Sequence, residues 1–496
     1  MRYAGAAGAL LALFAASAIA ASVTRTEANN GNLVMEDVPP IPAAIVDDLN
    51  RYQNVRSANL EGWTKDGSGI FISTRFADVN QLHRVDAPGG ARHQLTYYRE
   101  PVGDVAVQPQ GDGIVFTRDA GGSEFAQIFL LDRTTGKATM LTDGESRNGA
   151  VAWDRGGRRI AYQSTARNGA ANDIWLMDPR DPEKAEIVVE SQDGSWWGPV
   201  EFSAKGNRLL AMNYVSITDS RVHLVDLDSG AVTLLAGGAG NTSTNYPVAF
   251  DDSKDGFWLI TSQGSEFQRL AWQPAEPGAD IEVVTGDIKW DVSDAVISRD
   301  RKRMAFAVNE NGRSAIYLLD PRTRKYRPIE NIPTGVAGSI AFSPDGRKLA
   351  MTLNTATTPS DTFVLELGQA PLDYGTLTRW TYSEVGGLDT TAFREPELIS
   401  YPTFDKVDGK PREIPAWVYK PAGDGPFPVV VSIHGGPESQ SRPWFVSTYQ
   451  MWLAKLGVAV VVPNVRGSAG YGKTYLGLDN GFKREDSVKD IGALLD

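Results

Sequence analysis

Cysteine is absent from all 496 residues. That excludes disulfides, thiolate zinc sites, iron–sulfur clusters and cysteine nucleophiles together. Histidine is scarce: His83, His93, His223 and His434 are the whole supply, too few and too scattered for a multi-histidine metal site. Positive charge is also short, 49 Lys and Arg against 61 Asp and Glu for a formal net charge of −12, which argues against a nucleic-acid footprint. Beyond the first 20 residues no apolar run approaches the ~20 residues of a membrane span. Abundant instead are glycine (50) and proline (28), spread along the chain as in a protein of many turns and short strands. The length exceeds one ordinary domain and implies two or three.

Residues 1–20 read as an export signal. Arg2 gives the positive start, Ala6 to Ile19 the apolar run, and Ala18-Ile19-Ala20 the small-x-small site a peptidase reads. The alternative is a retained N-terminal anchor helix. Export without cysteine points to a bacterial periplasm or exterior, with no membrane attachment once the signal is removed. Residues 21–57 form a lead-in segment of helix and linker.

The middle of the chain repeats. Leu82-His-Arg-Val-Asp86, Ile128-Phe-Leu-Leu-Asp132, Ile174-Trp-Leu-Met-Asp178, Val222-His-Leu-Val-Asp226 and Ile316-Tyr-Leu-Leu-Asp320 are each a short apolar strand closed by Asp, spaced 46, 46, 48 and then 94 residues apart. The double gap holds a degenerate copy, Leu270-Ala-Trp-Gln273, and a seventh copy ends at Glu366. A second motif runs alongside: Trp63-Thr-Lys-Asp-Gly67, Trp153-Asp-Arg-Gly-Gly157, Phe202-Ser-Ala-Lys-Gly206 and Phe342-Ser-Pro-Asp-Gly346, with weaker copies at Val107, Phe250 and Ile297. Periods of this length built from β-branched and aromatic runs predict four-stranded units, seven of them over residues 58–368, stacked as a β-propeller. The recurrent Asp at strand ends is read as bonding its own turn rather than calcium. Trp63, Trp153, Trp175, Trp258 and Trp290 are read as packing between units rather than a ligand cage.

After Leu367 the pattern stops, and residues 369–395 read as a polar connector. The text then becomes α/β. Pro428–Ile433 and Val458–Pro463 are near-continuous apolar strands of the kind buried on both faces of a sheet. Between them a helix places Phe445, Tyr449, Trp452 and Leu456 on one face and stops at Gly457. From Arg484 a further helix carries Val488, Ile491 and Leu495 on one side.

His434-Gly435-Gly436-Pro437 after the first strand, Asn464-Val465-Arg466-Gly467-Ser468 after the second, Tyr471-Gly472 and the acidic helix Glu485–Asp490 resemble the start of a prolyl oligopeptidase-family catalytic domain, of the acylaminoacyl- and dipeptidyl-peptidase branch. The resemblance implies an all-β seven-bladed propeller followed by the N-terminal part of an α/β-hydrolase over residues 369–496. It implies peptide substrates and Ser-His-Asp acyl transfer. It implies an oxyanion hole from the backbone N–H of Gly436, with Gly435 shaping the turn, and His434 and Pro437 as loop-fixing members of the motif. No cofactor or metal is called for. The Gly-x-Ser-x-Gly elbow that holds such a nucleophile is not in the sequence. Arg466-Gly-Ser-Ala-Gly470 lacks its first glycine, so Ser468 is not read as the nucleophile. The triad is therefore expected beyond residue 496, and this chain alone is expected to be inactive. The alternative is a non-catalytic periplasmic propeller of the TolB type, which leaves the segment after residue 428 unexplained.

Overall fold

The structure, a computed structural model, describes residues 23–496 apart from 239, 241 and 437. The export signal read at 1–20 lies outside the described residues. The chain divides into residues 1–50 and 51–496. In the first unit Arg25–Ala28 pairs antiparallel with Leu33–Glu36, and helix α1 (Ala43–Gln53) begins.

In the second unit seven four-stranded antiparallel sheets follow one another among the described residues, each with its strands in chain order. They span 59–94, 105–140, 148–189, 196–236, 245–283, 291–328 and 336–379. The first strand of each sheet lies against the first strand of the next, and that of the seventh against that of the first. Among the bonds that close this ring, Leu60 N–H donates to Thr352 Oγ1 at 2.8 Å and Trp63 Nε1 to Ala341 O at 3.0 Å. Trp153 Nε1 likewise donates to Ala106 O of the preceding sheet at 3.0 Å, and Trp258 packs on Met304 and Phe306 of the following one. A single sheet has two faces to cover, and stacking covers both.

The turn chemistry follows the sequence motifs. Gly67, Gly157, Gly206 and Gly346 sit at φ between 66° and 73°, where an L side chain is strained. Asp132, Asp226 and Asp320 accept from Thr134, Ser229 and Arg322 N–H at 2.8, 2.8 and 2.9 Å. These carboxylates cap their own turns. The seventh sheet runs further than the repeat pattern indicated, because Tyr374–Arg379, inside the stretch read as connector, pairs with Asp361–Leu367. That strand is largely polar, so no apolar run announces it.

The last sheet holds β1 (Glu397–Val407), β2 (Lys410–Tyr419), β3 (Val429–Val431) and β4 (Ala459–Pro463) in the order β1-β2-β4-β3. β1 and β2, and β2 and β4, pair antiparallel, whereas β4 and β3 pair parallel. Helix α2 (Ser447–Met451) and a wider turn over Trp452–Leu456 cross from β3 to β4, ending at Gly457 with φ 62°. α3 (Lys473–Leu476) and α4 (Arg484–Leu495) follow.

Three details differ from the reading. β4 is interior, with Val460 at 0% exposure, but β3 has one strand neighbour and Val429 is 58% exposed, so Pro428–Ile433 is not covered on both faces. Leu456 is also exposed. In α4 it is Ser487 and Asp490 that are buried, with Leu494 packed on Ile414, while Val488 and Leu495 are exposed. The reason is that Asp490 is tied inward by Arg466. No helix among the described residues is long and apolar enough to cross a membrane.

Candidate functional site

β3 feeds into His434-Gly435-Gly436, and β4 feeds into Asn464–Ser468. Since Val431 pairs with Val461 in parallel, both loops leave the same edge of the sheet. In parallel α/β sheets that carboxyl edge is where sites form.

The loops meet at His434, whose Nε2 lies 3.0 Å from Ser468 Oγ, while its Nδ1 lies 3.1 Å from Gly435 O. With the ring proton on Nδ1, the imidazole holds the Gly435 carbonyl. A trans peptide points its N–H opposite to its C=O, so the Gly436 N–H is turned away from the ring. Gly435 and Gly436 are exposed, and neither N–H makes a hydrogen bond among the described residues. Gly436 has φ 118°, and a Cβ there would lie 2.4 Å from Glu438 N, so only glycine fits. Pro437 lies outside the described residues.

Ser468 is fully buried, and its single hydroxyl proton lies between two acceptors, Val465 O at 2.6 Å and His434 Nε2 at 3.0 Å. A serine beside a histidine invites a catalytic reading, but this hydroxyl faces backbone rather than a substrate space, and among the described residues His434 Nδ1 has no carboxylate behind it. His83 and His223 are built into sheets; burial pushes His223 down to about 4. Among the described residues no group of three or more His, Asp or Glu could hold a metal ion.

A second side chain steadies the same loop. Arg484 Nη1 donates to Gly436 O at 2.8 Å and lies 3.3 Å from Asp479, which is fully buried. Burial raises the Asp479 pKa, and Gly467 leaves it room, since a Cβ there would lie 2.2 Å from its Oδ1. Nothing in the motif pattern singled out Asp479; its only signal was a carboxylate in a Gly- and Asn-rich turn.

The Asn-x-Arg-Gly-Ser loop is a structural clamp. Asn464 Oδ1 accepts from Ser441 N–H at 2.7 Å and Nδ2 donates to Ser441 O at 3.0 Å, which fixes the chain just after the histidine loop. Arg466 donates to Asp490 and Asp405. Burial opposes its charge, and these hydrogen bonds raise its pKa beyond the usual guanidinium value. Under the loop a cavity of about 120 Å³ is lined by His434, Trp417, Trp444, Tyr449 and Arg442. Arg442 reaches Gly312 O at 2.9 Å and Ser314 Oγ at 3.0 Å, and burial lowers its pKa to about 10. Asn309 Nδ2 donates to Gln440 Oε1 at 2.7 Å and Thr474 Oγ1 to Glu266 at 2.8 Å. The site thus rests on the fifth and sixth sheets.

Known proteins resemble this chain in sequence and in fold. The chain is 24% identical over 477 residues to the uncharacterized peptidase YuxL of Bacillus subtilis, covering 86% of this chain and 64% of the relative. It is 23% identical over 420 residues to dipeptidyl aminopeptidase BIII of Pseudoxanthomonas mexicana, covering 75% and 53%. The chain is similar to proteins named as peptidases and dipeptidyl peptidases in sequence, and to prolyl oligopeptidases in fold. Among solved structures, prolyl oligopeptidase B of Galerina marginata, bound to a 35mer substrate, matches with TM-score 0.75 at 12% identity over 95% of this chain and 74% of that one. A structure from an analysis of two prolyl endopeptidases matches with TM-score 0.76 at 16% identity, over 90% and 67%. Those similarities establish the fold. No protein-family profile matches the chain. The chain spans about half to two thirds of the length of these two curated relatives.

Proposed function

We propose that this chain is the propeller and oxyanion-loop portion of an exported serine peptidase that cleaves oligopeptides, with its Ser, Asp and His supplied by sequence outside these 496 residues. The seven stacked sheets are read as a seven-bladed propeller, and β1–β4 as the opening strands of an α/β-hydrolase sheet. The observation that carries this reading is the pair of exposed N–H groups at Gly435 and Gly436, unbonded among the described residues, at the carboxyl end of a parallel strand and held from behind by His434 and Arg484. Acyl transfer develops negative charge on a carbonyl oxygen, and pre-aimed N–H donors stabilise it, each worth about 3–4 kcal/mol. Gly436 is the principal donor, Gly435 shapes its turn, and His434 fixes the loop. A non-catalytic binding propeller leaves the strand–glycine loop–crossover–strand succession without a purpose.

The test uses an active-site serine probe of the fluorophosphonate type and a peptidase assay. A longer form read from the same gene is labelled and cleaves peptides, whereas the 496-residue chain is not labelled. In the longer form Gly436→Ala keeps the N–H but displaces it, since its Cβ would lie 2.4 Å from Glu438 N, and kcat falls by up to about 10²–10³. Labelling of the short chain, or no labelling of the long one, overturns the reading.

A further inference from the structure

The turns that follow the first strand of each sheet share a sequence motif, and its third position is occupied by Lys65, Pro109, Arg155, Arg299 and Pro344 in sheets 1, 2, 3, 6 and 7. These five residues line one cavity of about 500 Å³. The loop after His434 instead touches turns that follow second strands, at Asn309–Gly312 and Asn354. In an antiparallel meander the two sets of turns lie at opposite ends of the strands. The cavity therefore opens at the end of the ring remote from His434.

Its charges do not cancel. Arg155 pairs with Asp252 at 2.5 Å, and Arg301 pairs with Glu201 and, at 3.3 Å, with Asp252. Those two cations and two carboxylates satisfy one another. Arg299 and Lys65 have no carboxylate within ion-pair distance among the described residues. Arg299 commits Nη2 to Pro109 O at 2.8 Å, reaching from the sixth sheet to the second, which leaves most of its five donors free. Burial with no counter-charge lowers its pKa.

Arg301 adds a separate sign that cationic side chains are kept here. It sits at φ 60°, in the turn position that Gly67, Gly157, Gly206 and Gly346 fill in other sheets. A non-glycine residue held in that region marks a place where strain is tolerated for another purpose.

We propose that this cavity binds a peptide carboxyl terminus, with the carboxylate held by Arg299 and Lys65 and the last side chain against Trp63, Val107 and Ile340. A planar guanidinium with free donors matches a carboxylate in geometry as well as charge. The apolar wall beside it fits an organic acid better than a bare inorganic anion. On a chain of net charge −12 the local surplus of cations is what draws an anion to this mouth.

The site stands independently of the peptidase reading, since binding is measured without turnover. Calorimetry on the 496-residue chain compares N-acetyl-Ala-Leu, its C-terminal amide, and acetate. The free acid binds, the amide binds at least about tenfold more weakly, and acetate binds more weakly than the peptide. Arg299→Ala removes the preference for acid over amide while its melting curve matches the parent, and Arg299→Lys keeps part of it. Equal binding of acid and amide, unaltered binding by Arg299→Ala, acetate binding as well as the peptide, or no binding at all overturns the proposal.

Discussion

Arg466 holds Asp490 through Nε and Nη2 at 2.8 and 2.7 Å, with their side chains 3% and 0% exposed. The pair joins the loop after β4 to helix α4, and Asp490 also accepts from the Thr403 hydroxyl of β1 at 2.7 Å. Removing Asp490 leaves Arg466 with Asp405 alone, at 2.9 Å, so the cost lies toward the lower end of the about 3–5 kcal/mol of a broken buried pair. Asp490→Asn is therefore expected to shift the urea midpoint strongly downward. Replacing both, Arg466→Met with Asp490→Leu, is expected to lose less than Asp490→Asn alone, and a double-mutant cycle on denaturation curves checks it.

Much of this was legible in the chain. The recurring strand-Asp and Trp/Phe-turn motifs marked the sheets because each repeats the same capping problem and the same solution. The polar strand Tyr374–Arg379 was hidden because it is paired by its backbone and carries no apolar run. The faces of α4 were misjudged for a related reason. Hydrophobic periodicity pointed to Val488 and Leu495, but the buried residue is an aspartate whose partner lies 24 positions back at Arg466. Charge pairing between distant segments leaves no periodic trace. Asn464 and Arg466 were visible as motif members, yet only coordinates show that they clamp Ser441 and α4 rather than meet a substrate.

Ser468 sits in hydrogen-bond reach of His434 and is buried against Val465 O. Its expected role is to steady the ring, not to attack. In a peptidase-active longer form, Ser468→Ala is expected to keep probe labelling and to lower kcat by under about tenfold, since one neutral hydrogen bond is worth about 1 kcal/mol. Abolished labelling would make Ser468 the nucleophile after all.

Arg301→Gly sets two effects against each other. The change relieves a left-handed backbone, worth about 1 kcal/mol, and strips Glu201 and Asp252 of a cation that is 12% exposed. The second effect is expected to win at low ionic strength, so the variant melts earlier there. Salt screens the remaining repulsion, with a Debye length falling to about 3 Å at 1 M, so the difference is expected to shrink or reverse in high salt. A variant more stable at every salt concentration would mean that the ion pairs at the cavity contribute nothing.

Glu61 lies on the first strand of the first sheet, and burial, reinforced by the charge of Asp104, raises its pKa from 4.5 to about 8. Between those values the unfolded chain has released a proton that the folded chain still holds. The folded state then binds more protons, and stability falls as pH rises through this window before levelling off above it. Full burial would make each pKa step worth about 1.4 kcal/mol, and this partly open position yields less. Glu61→Gln keeps the neutral form at every pH. It is expected to melt close to the parent near pH 5 and several degrees higher near pH 9, with the gap opening across the pH window of the Glu61 titration. Scanning calorimetry of both proteins over that range decides it: parallel melting curves with a constant offset would show that Glu61 is ionised throughout and that its surroundings solvate the charge.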